Sequence, residues 1–163
     1  MEHLYAPWRD AYMKRLGEGE CPFCYIVTHS TQDEETKVLY RAEHCFIVMN
    51  LYPYTPGHFM VIPNQHTDKL EELDITVWNE INDLVHKCVK MLKAELHVGG
   101  INLGMNLGRA AGAGIAEHVH YHIVPRWERD TNFITTIAKT RVYSVDFDDL
   151  YRKIKNLIPQ YIK

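Results

Sequence analysis

Between residues 74 and 100 the apolar side chains recur every three or four positions. Ile75, Trp78, Ile81, Leu84, Val85, Cys88, Val89, Leu92 and Leu96 form the stripe of an amphipathic helix with one face turned to a core. Asp74 is placed to cap its start and Gly99-Gly100 to stop it. Near the C-terminus Phe147, Leu150, Ile154, Leu157 and Ile158 repeat the spacing and predict a second amphipathic helix. Elsewhere the period shortens. Residues 38–40, 45–49 and 59–63 are short β-rich runs, and residues 50–57, with Pro53, Pro56 and Gly57, read as a turn. Residues 101–107 and 118–126 supply two more strands, joined by the glycine-rich stretch 108–114, while the polar, acidic residues 28–36 read as an exposed loop. Strands, a long helix, more strands and a last helix predict an α+β fold. It is an antiparallel sheet of about five strands, with the long helix and the C-terminal helix packed against it.

Composition narrows the class. A chain of 163 residues, 46% hydrophobic, suits one domain over residues 1–163 with its own core. A net charge of −3 argues against a broad nucleic-acid footprint, which needs a basic surface. Residues 45–65 lack Asp, Glu, Lys and Arg, but Pro53, Pro56, Gly57 and Pro63 interrupt them, so they read as buried strands around a turn and not as a membrane helix. The start, Met1-Glu2-His3-Leu4-Tyr5, has neither the basic nor the apolar region of a signal peptide. The expectation is therefore a cytoplasmic protein with reduced thiols. In that setting Cys21-Pro22-Phe23-Cys24 points to metal or redox chemistry, and Cys45 and Cys88, inside strand and helix patterns, to plain core.

The chemistry concentrates in His118-Val119-His120-Tyr121-His122-Ile123-Val124-Pro125. On an extended strand alternate side chains share a face, so the three imidazoles line one face while Val119, Tyr121 and Ile123 anchor the other. Three polar rings are costly to bury without partners, so the strand is expected to face a cleft. Two chemistries fit: neutral imidazoles gripping one metal ion, or an imidazole that attacks phosphorus and carries the group covalently. Just upstream, Gly104-Met105-Asn106-Leu107-Gly108-Arg109-Ala110-Ala111-Gly112-Ala113-Gly114 offers small residues whose backbone N–H groups can approach an anion. Arg109 can add a charge-assisted contact.

These residues resemble the histidine-triad family, whose signature alternates three histidines with apolar residues. Pro56-Gly57-His58-Phe59-Met60-Val61-Ile62-Pro63 is similar to its upstream strand, which supplies a fourth histidine. The likeness covers about residues 20–127. The flanks Leu4-Tyr5-Ala6-Pro7-Trp8-Arg9, Pro125-Arg126-Trp127 and Asn132-Phe133-Ile134-Thr135 resemble the family's bacterial diadenosine-polyphosphate phosphorylase branch.

The resemblance implies a nucleotide-binding fold with His120 as nucleophile, and His122 at the scissile phosphate or leaving group. His58 and His118 complete the polar network. It also implies ribose contact from Asn50, packing against the base by Leu51 and Phe46, and phosphate contact from Asn106, with Arg109 and the backbone of Gly112 and Gly114 nearby. Where relatives carry Gln, Ser or Thr before the triad, this chain has Ala113, Gly114 and Ile115, so an oxyanion contact there falls to backbone N–H groups. Two cysteine thiolates at this spacing suit a tetrahedral zinc site. The wider superfamily implies His66 and His118 as the remaining ligands of Cys21 and Cys24.

The implied function is cleavage of dinucleoside polyphosphates such as diadenosine tetraphosphate through a nucleotidyl-histidine, with inorganic phosphate favoured over water as acceptor. Alternatives are nucleoside phosphoramidate hydrolysis on the same fold, a metalloenzyme without a covalent intermediate, and a nucleotide-binding module without turnover. Relatives imply a homodimer.

Overall fold

The computed structural model describes residues 21–128, 130, 134, 137–138 and 144–162. The flanking stretches 4–9 and 132–133, with Thr135, lie outside the described residues.

Five strands form one sheet: β1 (Val38–Arg41), β2 (Cys45–Met49), β3 (Phe59–Pro63), β4 (Gly100–Gly104) and β5 (Tyr121–Arg126). Their spatial order is β1-β2-β3-β5-β4, and every neighbouring pair is antiparallel. Among the described residues three helices accompany them: α1 (Pro22–Thr28), α2 (Ile75–Glu95) and α3 (Phe147–Tyr161). This is the α+β architecture that the apolar pattern predicts.

Residues of β2 and β3 are buried along their whole length, because both faces of the sheet are covered. On one face Cys45, Ile47, Met49, Phe59, Val61 and Ile123 pack against Ile81, Leu84, Cys88 and Leu92 of α2 and Leu150, Ile154 and Ile158 of α3. On the other, Phe46, Val48, Met60 and Ile62 meet Phe23 and Ile26 of α1. Pro22 stands at the first turn of α1, where its fixed φ and missing N–H suit a helix start. The Asp74 carboxylate caps α2 by accepting from the Thr76 N–H at 2.8 Å, and Asp146 caps α3 through the N–H groups of Asp148 and Asp149. Cys45 and Cys88 are free and buried in the helix-covered core.

Three expectations change. First, α2 ends at Glu95, ahead of Gly99-Gly100, and the turn is made at His97 with φ of 48°. The two glycines lie where the chain enters β4, and a Cβ on Gly99 would stand 3.5 Å from the Glu128 backbone nitrogen. Second, β4 stops at Gly104 and does not extend to residue 107. Third, β5 begins at Tyr121, so His118 and His120 precede the ladder and only His122 has strand partners, Met60 and Gly104. The cause is Pro63, which has no N–H to continue the pairing; the Val119 N–H donates instead to the Thr67 carbonyl at 2.8 Å. No helix among the described residues is long and apolar enough to cross a membrane.

Candidate active site

The three imidazoles do share one side of the chain, but they are buried, and of the three His122 alone lines a cleft. His118, His120 and His122 are 0, 6 and 8% exposed. The Phe23 ring, delivered by α1, lies 5.4 Å from the His118 ring and 5.3 Å from that of His120, and the His120 and His122 rings meet edge-on at 4.8 Å. The desolvation cost is met by hydrogen bonds, which also assign the ring protons.

His120 Nδ1 lies 2.8 Å from the His118 carbonyl oxygen. A carbonyl only accepts, so the proton is assigned to Nδ1 and the Nε2 lone pair is left uncommitted. His118 Nε2 lies 2.9 Å from the Pro63 carbonyl, which assigns its proton to Nε2 and leaves Nδ1 basic. At the other end the Tyr54 N–H donates to His58 Nδ1 at 3.1 Å. The His58 proton is therefore on Nε2, which donates to His122 Nδ1 at 2.9 Å. By the same logic His122 carries its proton on Nε2. One relay runs from backbone amide to His58 to His122 and ends in an N–H donor.

All four rings are held neutral at physiological pH. Burial pushes His58 down to about 3, with His122 and His120 adding to the effect. Burial likewise lowers His122 to about 4, reinforced by His120. His118 is pushed down to about 4 by burial, partly opposed by its bond to Pro63. His120 is lowered by burial, against the pull of the His118 carbonyl and Glu117.

His118 also faces sulfur. Its Nδ1 lies 3.5 Å from Cys21 Sγ and 3.8 Å from Cys24 Sγ, and His66 Nδ1 is 3.2 Å from Cys24 Sγ. The donor atoms of Cys21, Cys24, His66 and His118 all lie within 4.8 Å of one another. Ligand atoms on a tetrahedron with bonds of about 2.0–2.3 Å stand roughly 3.3–3.8 Å apart, so these spacings suit a four-coordinate ion. The Pro63 carbonyl on the far side of His118 is the outer partner a ligating imidazole commonly has.

The substrate-contact expectations find varied surroundings. Asn50 is buried and works within its own loop: its Oδ1 accepts from the Tyr52 N–H at 2.9 Å, and its Nδ2 lies 3.3 Å from each His58 ring nitrogen. Phe46 is 0% exposed within the α1-side cluster, and Leu51 is half-buried. Arg109, Gly112 and Gly114 are exposed in the segment between β4 and β5. Arg109 opens a short 3₁₀ turn flanked by Gly108 and Gly112, with φ of 77° and 89°, a conformation that favours glycine. Asn106 lines a cleft of about 340 Å³ together with Tyr54, Asn102, Met105, His122 and Arg126.

Sequence reasoning missed three contributors: Phe23, hidden as a spacer between two cysteines, Tyr54, one residue of a proline-rich turn, and the Thr67 carbonyl, a main-chain group with no sequence signal.

The HIT domain model matches residues 31–129. The chain is 43% identical over 151 residues to the AP-4-A phosphorylase of Mycobacterium tuberculosis, covering 87% of this chain and 76% of that one. Among solved structures it is similar to a Zn-bound histidine triad family protein from Mycobacterium smegmatis, with a TM-score of 0.69 and 26% identity over 88% of this chain and 96% of that chain. A hypothetical histidine triad nucleotide-binding protein from Sulfolobus tokodaii is also similar, with a TM-score of 0.66 and 30% identity over 87% and 91% of the two chains.

Proposed function

The chain belongs to the HIT-domain family, and on that premise we propose that it is an enzyme cleaving dinucleoside polyphosphates of the diadenosine tetraphosphate kind, with inorganic phosphate as the preferred acceptor. The observation that carries this reading is the His118 carbonyl, 2.8 Å from His120 Nδ1. It turns a neutral ring so that its free lone pair is on Nε2, as a nucleophile requires.

In the first step the Nε2 lone pair bonds to the α-phosphorus while the bond from that phosphorus to the bridging oxygen breaks. The departing nucleoside polyphosphate keeps the electron pair. Its new terminal phosphate ionises near pH 6, so it leaves as an anion and needs a hydrogen bond, not a full proton. His122 Nε2–H, the end of the relay, supplies that bond. Nucleotidylated His120 is cationic and its Nδ1–H bond to the His118 carbonyl strengthens. In the second step a phosphate oxygen attacks the same phosphorus, the P–N bond breaks, and a nucleoside diphosphate leaves with His120 neutral again. The name of the M. tuberculosis relative supports phosphate in that place.

Cys21, Cys24, His66 and His118 would hold a structural zinc ion. Bound there, the ion would cross-link α1 and the segment after β3 to the residue two before the nucleophile. His118 then acts by fixing position and His120 and His122 by chemistry. A homodimer and cytoplasmic residence belong to the same reading.

Product analysis of diadenosine tetraphosphate tests it. Adenosine diphosphate appearing only when phosphate is present is the expected result; adenosine monophosphate regardless of phosphate would replace phosphorylase by hydrolase. Absence of a nucleotide on His120 in quenched turnovers would remove the covalent mechanism.

A further inference from the structure

A dinucleoside polyphosphate has two ends, and the nucleophile holds only one of them. His120 lies against Phe23 and α1, while the cleft of about 340 Å³ is lined by His122 and residues of β4 and not by His120 or Phe23. His122 is also the residue whose N–H is aimed at the departing group in the reading above. The departing half therefore has a cavity beside it, of the size range of small-molecule sites.

Its lining tells which part of that half it suits. Arg126 is at its wall, but the guanidinium is clamped by Asp130, with Nη2 2.9 Å from Oδ1, and Nη1 donates to Asn102 Oδ1 at 3.0 Å. Its charge is thus largely balanced, which makes the wall a poor trap for bare phosphate. Besides His122, Thr55 and Gly104, the rest of the lining is mostly apolar or amide: the Tyr54 ring, the Met105 thioether, the aliphatic Leu103 and Val124, and the amides of Asn102, whose oxygen is taken by Arg126, and Asn106. Tyr54 is 53% exposed although its ring lies 4.6 Å from that of His58 and 5.8 Å from that of His122. A large ring anchored beside the imidazoles and open to solvent is a stacking platform, and amides offer both donors and acceptors to the edge of a flat heterocycle.

We propose that this cleft binds the nucleoside end of the departing half, with Tyr54 stacking on its base, and that Tyr54 thereby selects dinucleoside over mononucleoside polyphosphates. The proposal rests on the cleavage reading above.

The test compares kcat/KM for diadenosine tetraphosphate and adenosine 5′-tetraphosphate, which share the phosphate chain and differ only in the second nucleoside. Wild-type protein is expected to prefer the dinucleoside. Tyr54→Ala is expected to cut that preference about tenfold or more, the scale of losing one base–aromatic stack, mostly through KM. Tyr54→Phe is expected to keep it. Met105→Trp, which fills the cleft without altering Tyr54, is expected to erode the preference in the same direction. Equal losses on both substrates, or an unchanged ratio in both Tyr54→Ala and Met105→Trp, would overturn the proposal and leave the cleavage reading standing. Failure of wild-type protein to cleave either substrate would overturn both.

Discussion

His118 and His122 flank His120, the proposed nucleophile, at equal distance along the chain, and they make an instructive pair. Both are buried, both are neutral, and burial has lowered both to about 4. They differ in what their second nitrogen meets. His118 spends one nitrogen on the Pro63 carbonyl and turns the other to a cluster of thiols. His122 spends one on His58 and keeps the other as a donor at the edge of the cleft. Residue type and burial do not distinguish the two; the partner of the second nitrogen does, and the roles proposed for them rest on that difference.

The largest expected effect removes the residue both of them serve. His120→Ala should lower kcat by at least about a thousandfold while equilibrium dialysis still detects nucleotide binding; wild-type turnover would contradict the mechanism. Next, the flanking pair should split. His122→Ala should cost on the order of 10²–10⁴ in kcat with the metal content unchanged. Cys24→Ser should instead lose stoichiometric zinc by elemental analysis and lower the melting temperature, as loss of a metal cross-link does. If Cys24→Ser retains both metal and melting temperature, the contrast between the two ends fails.

A smaller effect comes from acid. His58 and His122 titrate at about 3 and 4 when folded, against roughly 6.5 when unfolded. Between those values the unfolded chain binds more protons, so the stability is present in full above about pH 6.5 and lost as pH falls toward 4. At about 1.4 kcal/mol per unit, the pair should forfeit several kcal/mol by pH 4. Denaturant titrations at a series of pH values read this directly, and a flat profile from pH 7 to 4 would contradict it. The smallest effect concerns the helix-covered face. Asp146→Ala should cost about 1 kcal/mol of stability through the lost cap of α3 and leave kcat unchanged.

Much of this arrangement was legible in the chain. The period of residues 75–92 sets α2, five consecutive apolar residues set β2, and Cys21-x-x-Cys24 announces the cluster that the fold completes with His66 and His118. What escaped was decided by the main chain or by tertiary contacts. The loss of the ladder ahead of Tyr121 depends on Pro63 in a neighbouring strand. The early end of α2 depends on a left-handed His97, a conformation histidine adopts more readily than most residues but does not advertise. Tyr54 reads as one more turn residue until the turn is folded against His58 and His122. The bond from the Tyr52 N–H to the Asn50 oxygen likewise has no signal in the sequence, where Asn50 reads as a ribose contact.

Two groups, the Tyr54 N–H and the His118 carbonyl, decide which nitrogens of His58, His122 and His120 bear hydrogen. Neither belongs to a side chain. Descendants of this protein can therefore exchange the residue at position 54 and inherit the same proton arrangement, as long as the chain keeps its path there. A proline at that one position, which has no N–H to give, would disinherit His58 and His122 while leaving every histidine in place.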